Sequence, residues 1–137
     1  MGGNGTFAAG NIAKYRWETV DSYNGVKVLR PVLPPGQKRI SQKLPEEAHS
    51  SKMYMLLHES GKLSQLRLYD RHHLLRLEIA FHPETGLDPS RRPVLHYHTY
   101  SHSPFTHSRA HWLSDSMMRE FGKYFKGLTE DEKRQHA

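Results

Sequence analysis

The sequence predicts an α+β fold: an antiparallel β-meander of four or more strands, packed on one face by a C-terminal helix, with an N-terminal hairpin or edge ribbon. Three observations carry that expectation. Between residues 53 and 82, apolar and polar residues alternate in short runs separated by turn residues, as they do in half-buried strands. "VLHYHTY" at 94–100 repeats the alternation. Met117, Met118, Phe121, Tyr124 and Phe125 then recur at steps of three and four, the spacing of one helical face.

Taken in order, residues 1–14 are glycine-rich without either period and are expected to form a flexible arm. A single domain then spans 15–127, and 128–137 form a short C-terminal tail. Tyr15, Trp17 and Thr19 alternate, Asn24-Gly25 is a tight-turn signal and "VKVLRPV" resumes a strand, so a hairpin is expected. Pro31 confines it to an edge or ends it, because proline has no amide hydrogen for a ladder. "PPGQKRISQKLPEEAHSSK" at 34–52 is proline-bounded and charged; it is expected as a long loop closed by a helical turn after Pro45, of the kind that often serves as a flap. "MYMLLH", "LSQLRLY" and "HLLRLEIAFH" are the first three strands of the meander. In the third, Leu75, Leu77, Ile79 and Phe81 oppose Arg76, Glu78, Ala80 and His82, which predicts one buried and one wetter face. Ser114 or Asp115 caps one long helix that Gly127 ends, and Thr129 and Glu132 stand in capping-box spacing.

At 137 residues the chain suits one domain with one core. No apolar run approaches the roughly 20 residues needed to cross a bilayer, and the N-terminus lacks the basic start and apolar core of a signal peptide. A cytoplasmic or virion-associated protein without membrane contact is therefore expected. The absence of cysteine excludes disulfides, thiolate nucleophiles and Cys-ligated zinc. Twenty Lys and Arg against fourteen Asp and Glu give a net charge of +6, which favours a polyanion such as RNA as partner.

The chemistry-bearing residues concentrate in "VLHYHTYSHSPFTHSRAH" at 94–111, which holds five of the eleven histidines. Strand alternation puts His96 and His98 on one face whichever face that is. If Leu95 and Tyr97 continue the core, both histidines join Arg76, Glu78 and His82. Three readings follow. In the first, His96 and His98, with His82 as substitute, act as general base and acid on an RNA phosphodiester, Glu78 orienting them and Arg76 clamping the phosphate charge. No cofactor is then expected. In the second, His96 and His98, with His82 or else Glu78 as the third ligand, hold Zn or Mn in a metal-dependent hydrolase. In the third, the histidines are half-exposed polar residues of a noncatalytic interaction module, associating as a homo-oligomer or with a phage protein through an open edge at 26–33 or 53–57. Arg91, Arg92, Arg109, Lys123 and Lys126 are the candidate phosphate contacts. Tyr100, Phe105, His107, His111 and Trp112 fall in the loop entering the helix, and two readings stand: exposed aromatics there stack on bases, or Phe105, Trp112 and Leu113 fold back as a plug between helix and sheet. Walker, dinucleotide, HExxH and Gly-x-Ser-x-Gly motifs are lacking, which disfavours the chemistries they serve.

"GKLSQLRLYD", "RLEIAFHPE" and "VLHYHTY", in that order over residues 61–100, resemble a small module of phage and prophage head-morphogenesis-associated proteins and polymorphic-toxin-like tails. The resemblance implies an α+β domain of phage or prophage origin with toxin-like RNase activity. It also implies that His96 and His98 are its H-x-H pair, Glu78 to His82 its acidic or histidine-bearing segment and Tyr69-Asp70 its turn. The turn here continues as "YDRHH", where the module has a glycine or Asn-Gly.

Overall fold

The computed structural model describes residues 16–32, 44–48 and 51–134. The arm expected over 1–14 and most of the loop expected over 34–52 lie outside them. Strands β1 (Arg16–Tyr23), β2 (Val26–Val32), β3 (Met53–Leu57), β4 (Leu63–Tyr69), β5 (Leu75–Pro83) and β6 (Pro93–Ser101) precede two short strands, β7 (Thr106–His107) and β8 (His111–Trp112). Helices α1 (Asp115–Phe121) and α2 (Glu130–Lys133) follow. The sheet order is β1-β2-β3-β4-β5-β6-β7, with β8 also paired to β6. The fold is α+β, and β3 to β6 form the expected meander. β2 and β3 pair parallel, which the long connection between Val32 and Met53 permits. Residues 26–32 and 53–57 are thus interior in the strand order, β2 meeting β3 at Lys27 and Val28, and among the described residues β1 and β7 are the end strands.

The turns follow from backbone chemistry. Asn24 and Gly25 both take positive φ, 49° and 84°, the type I′ geometry that suits the twist of a hairpin. At the β4–β5 turn, where glycine was expected, His73 itself takes φ 66°. Asp70 makes this tolerable: its carboxylate accepts from the amides of His72 and Leu74.

Both faces of the sheet are covered, contrary to the expected wetter face. On one, Val28, Met55, Leu66, Ile79, Phe81 and Leu95 pack beneath Leu113, Phe121 and Phe125. On the other, Trp17, Leu29, Leu44, Tyr54, Tyr69 and Leu75 form a second core. The second core exists because 44–48 lies along β5, Glu47 bridging Leu74, where a helical turn was expected. Its polar centre is Arg67, which donates to Glu78 at 2.8 Å and to the Leu44 carbonyl at 2.7 Å. Tyr69 donates to the Pro45 carbonyl beside it.

The C-terminal helix is shorter than its apolar stripe. Ser114 caps it, accepting from Met117 N, but at Gly122 the chain tightens into a 3-10 turn over Gly122–Tyr124. Glycine favours neither form strongly, and the tightening still lets Phe121 and Phe125 both reach the sheet. Gly127 (φ 77°) reverses the chain where a Cβ would stand 3.1 Å from Lys62 Cα. The capping box of Thr129 and Glu132 forms in full. No helix among the described residues is long and apolar enough to cross a membrane.

Candidate functional site: a histidine cleft at the β6 edge

The β5–β6 register places His98 opposite Glu78, His96 opposite Ala80 and His82 opposite Val94. The three imidazoles therefore share the face away from α1. The rings of His82 and His96 are 4.7 Å apart and those of His96 and His98 are 5.5 Å apart. On the outer edge of β6, β7 and β8 pair with Tyr100–Ser101 and His96–Tyr97 respectively. Ser108 joins them by bonding Thr99 through both its amide and its hydroxyl. That connection carries a fourth ring into the group, His107, 5.5 Å from His98.

Backbone carbonyls fix the tautomers. A carbonyl oxygen only accepts, so the Nδ1 of His96, 2.9 Å from Val94 O, and the Nδ1 of His98, 2.8 Å from Ser108 O, both carry the proton. The same holds for His107, whose Nδ1 donates to the same Ser108 oxygen at 2.8 Å. In the neutral ring, the lone pair is then on Nε2. For His96 that lone pair is buried: the residue is 0% exposed, and its Nε2 is the buried side-chain polar atom that, among the described residues, finds no protein hydrogen-bond partner. Burial, helped by His82 and His98, holds this imidazole below its ordinary pKa despite the Val94 carbonyl and Glu84. It is therefore the neutral, ligating form at neutral pH.

Opposite that lone pair stands Glu84, its Oε1 4.0 Å from His96 Nε2. Glu84 comes from the β5–β6 connection, where its main-chain carbonyl receives Leu87 N and Asp88 N and its carboxylate lies 3.3 Å from Gly86 N. Ligand atoms of Glu84, His96 and His98 all lie within 4.8 Å of one another. Tetrahedral zinc with bonds near 2.1 Å needs edges of ~3.4 Å, so ligation requires the three groups to draw closer, the half-exposed Glu84 side chain among them. Glu84 and His98 line a cleft of about 560 Å³ together with His107, Arg109, His111 and Trp112, and the wholly buried His96 lies outside its lining.

The expected residues divide. His96 and His98 sit in the cluster, while His82 stands behind His96, its Nδ1 donating to Pro83 O. Glu78 is engaged by Arg67 in an ion pair whose side chains are 4% and 8% exposed, so it serves the second core. Arg76 leaves the histidine face: the register slips between Leu68 and Tyr69, and Arg76 lines a depression with Met53, Leu68, Phe121 and Tyr124. A bulge of this kind reverses which side a residue faces. Arg109 lines the cleft. Arg91 and Arg92 lie on the connection that carries Glu84, Arg92 held by Asp88 at 2.7 Å. Lys126 lies over the Tyr23 ring, and Lys123 offers its carbonyl to Asn24. Both lysines therefore lie by the β1–β2 hairpin, at the other edge of the sheet, and do not extend the cleft's positive rim. The expected plug is split: Leu113 is buried, Trp112 lines the cleft and Phe105 is exposed.

Glu84 and Arg67 are not singled out by the sequence as site or core residues, and His107 is expected only in the loop before the helix, not beside His98. Glu84 falls two residues after His82 in a connection whose path no periodicity describes. His107 arrives through a strand of two residues. No protein-family model, curated protein or solved structure matches this chain.

Proposed function

We propose that the β6 cleft holds one divalent transition-metal ion, zinc or manganese, on Glu84, His96 and His98, and that the protein is a metal-dependent hydrolase of phosphodiesters. The observation that carries this reading is the buried Nε2 of His96. A lone pair withdrawn from water without a partner costs about 1–3 kcal/mol, and a cation is the partner that a neutral imidazole with a carbonyl-bound Nδ1 is set up to take. Two histidines and one glutamate are also the ligand set of catalytic rather than structural zinc, which keeps a position free for water. The open cleft gives that position access.

The anionic substrate follows from the charges. A divalent ion with one carboxylate leaves a net positive centre, and Arg109 adds to it. Bound there, the ion would supply a water acidified enough to attack phosphorus as the ester P–O bond breaks; the Nε2 of His107, which lines the cleft, would take the proton that the water gives up and pass it to the leaving oxygen. His96 has no such role, since its ring is wholly buried.

The test is metal analysis of the full chain after dialysis against Zn²⁺ or Mn²⁺, with single-stranded RNA and DNA cleavage assayed with and without chelator. One ion per chain is expected, lost in His96→Ala and Glu84→Ala, with cleavage abolished by chelation and restored by metal. No stoichiometric metal in the unaltered chain overturns the reading. A second reading rests on the Ser108 carbonyl, which fixes both His98 and His107 with Nε2 free: these two as a metal-free base and acid on RNA. Chelator-resistant cleavage of RNA, with DNA untouched, selects it.

A further inference from the structure

Resting on the phosphodiester reading for its reacting group, we propose that the substrate is a single-stranded nucleic acid whose base beside the cleft stacks on the outer face of Phe105. A continuous ladder of rings leads from the cluster to that residue. His98 meets His107 at 5.5 Å, His107 meets Tyr100 at 5.7 Å, and Tyr100 stacks on Phe105 at 5.7 Å with an interplanar angle of 24°. Tyr100 thus stacks on the phenyl ring, and Phe105 as a residue is still 43% exposed.

The ring is held in place. His102 packs against Phe105 at 5.1 Å and is itself tied to the sheet through Nε2 to the Leu75 carbonyl. Ser101 and Thr106 join their hydroxyls across the hairpin at 2.6 Å. A fixed aromatic face costs little further ordering when a base settles on it.

The surroundings select a base over a protein. Among the described residues the other exposed large hydrophobics are Val20 and Val32, on β1 and β2 at the far edge of the sheet. Beside Phe105 in the chain stand Ser101, His102, Ser103, Pro104, Thr106 and His107, of which only Pro104 is apolar. A ring backed by Tyr100 and otherwise set among mostly polar groups offers little of the contiguous apolar area that protein docking uses, whereas one ring suffices for one base. Arg109 and the ligand cluster lie on the same edge and suit the phosphates. The face of a base is free in a single strand and covered in a duplex, which sets the strandedness.

The experiment is fluorescence anisotropy of the full chain, in chelator so that nothing is cut by metal, with four labelled oligonucleotides: single-stranded DNA, the same sequence as 2′-O-methyl RNA, the DNA with abasic residues, and a DNA duplex. The unaltered protein is expected to favour the base-bearing single strands. Phe105→Ala should weaken them about tenfold and leave abasic and duplex binding unchanged, while Phe105→Trp should retain binding. Equal affinity of Phe105→Ala and unaltered protein for base-bearing strands, or preference of the unaltered protein for duplex, overturns the proposal. Metal analysis of the same preparations keeps the two readings apart. Phe105-dependent binding without metal uptake fails the metal alone, and metal uptake without Phe105 dependence fails the substrate class alone.

Discussion

Arg67 shows how a charged residue can be part of a core. Its guanidinium loses hydration, which works against the charge, but the Glu78 carboxylate and its hydrogen bond more than compensate, so its pKa is raised rather than lowered. The Leu44 carbonyl takes a further donor at 2.7 Å, and the Tyr100 ring lies 5.5 Å from the guanidinium carbon. Tyr100 in turn has its phenol pushed up to about 12, by burial first and by Glu78 next. Removing one partner strands the other charge. Arg67→Met is therefore expected to destabilise the fold by about 3–5 kcal/mol. The double replacement Arg67→Met with Glu78→Leu should recover much of that loss, because no ion is then left buried. Urea unfolding of the two singles and the double measures the coupling. Additive losses would mean that the pair is not a unit.

At the scale of elements, the C-terminal segment is pinned to the β3–β4 turn by groups that can be tested singly. Leu63 N donates to Lys126 O, Gly127 passes against Lys62, and Lys62 Nζ reaches Glu132 at 2.6 Å. Gly127→Ala combines a positive φ with a Cβ too close to backbone, so a loss of about 1–3 kcal/mol is expected, read as a lowered unfolding midpoint with metal content unchanged. Glu132 is held below the usual carboxylate range by Lys62 first and by the Thr129 amide next. A depressed carboxylate stabilises the fold above its unfolded pKa and loses that contribution as pH falls through the folded one. Lys62→Met should therefore cost something near pH 7, under ~1 kcal/mol for a partly exposed pair, and nothing once Glu132 is protonated well below pH 4. Thermal scans at the two pH values check it. The capping box, the Asn24-Gly25 turn and the strands from Met53 onward were legible because each is written in a local spacing. The parallel pairing of β2 with β3, the slip that carries Arg76 away, and the two-residue strands β7 and β8 depend on distant partners, and no local period encodes them. His96 and His98 were legible as a pair for the same reason. Glu84 was not, since it reaches them only through the path of an irregular connection.

For the whole molecule, the proposed ligand cluster joins parts of the chain that only the folded sheet brings together: a connection residue, two positions of β6, and the β7–β8 edge that holds His98. A metal binding there binds the native chain and not the unfolded one, so it adds stability in proportion to its saturation, about 2.7 kcal/mol at a hundredfold excess over Kd. Without metal, the buried Nε2 of His96 is a liability that an apolar side chain of similar volume does not share. His96→Leu gives up the Nδ1 bond to Val94 O together with the unpaired Nε2. Its metal-free stability is therefore expected within about 1 kcal/mol of the unaltered chain, while the metal-dependent rise in melting temperature disappears. Glu84→Gln, at a half-exposed position on a connection, should leave metal-free stability unchanged and remove the same rise. Differential scanning calorimetry with chelator and then with Zn²⁺ reads all four quantities. A large loss in metal-free His96→Leu, with no effect of Zn²⁺ on the unaltered chain, would make His96 a packing residue and leave the cleft without its cation.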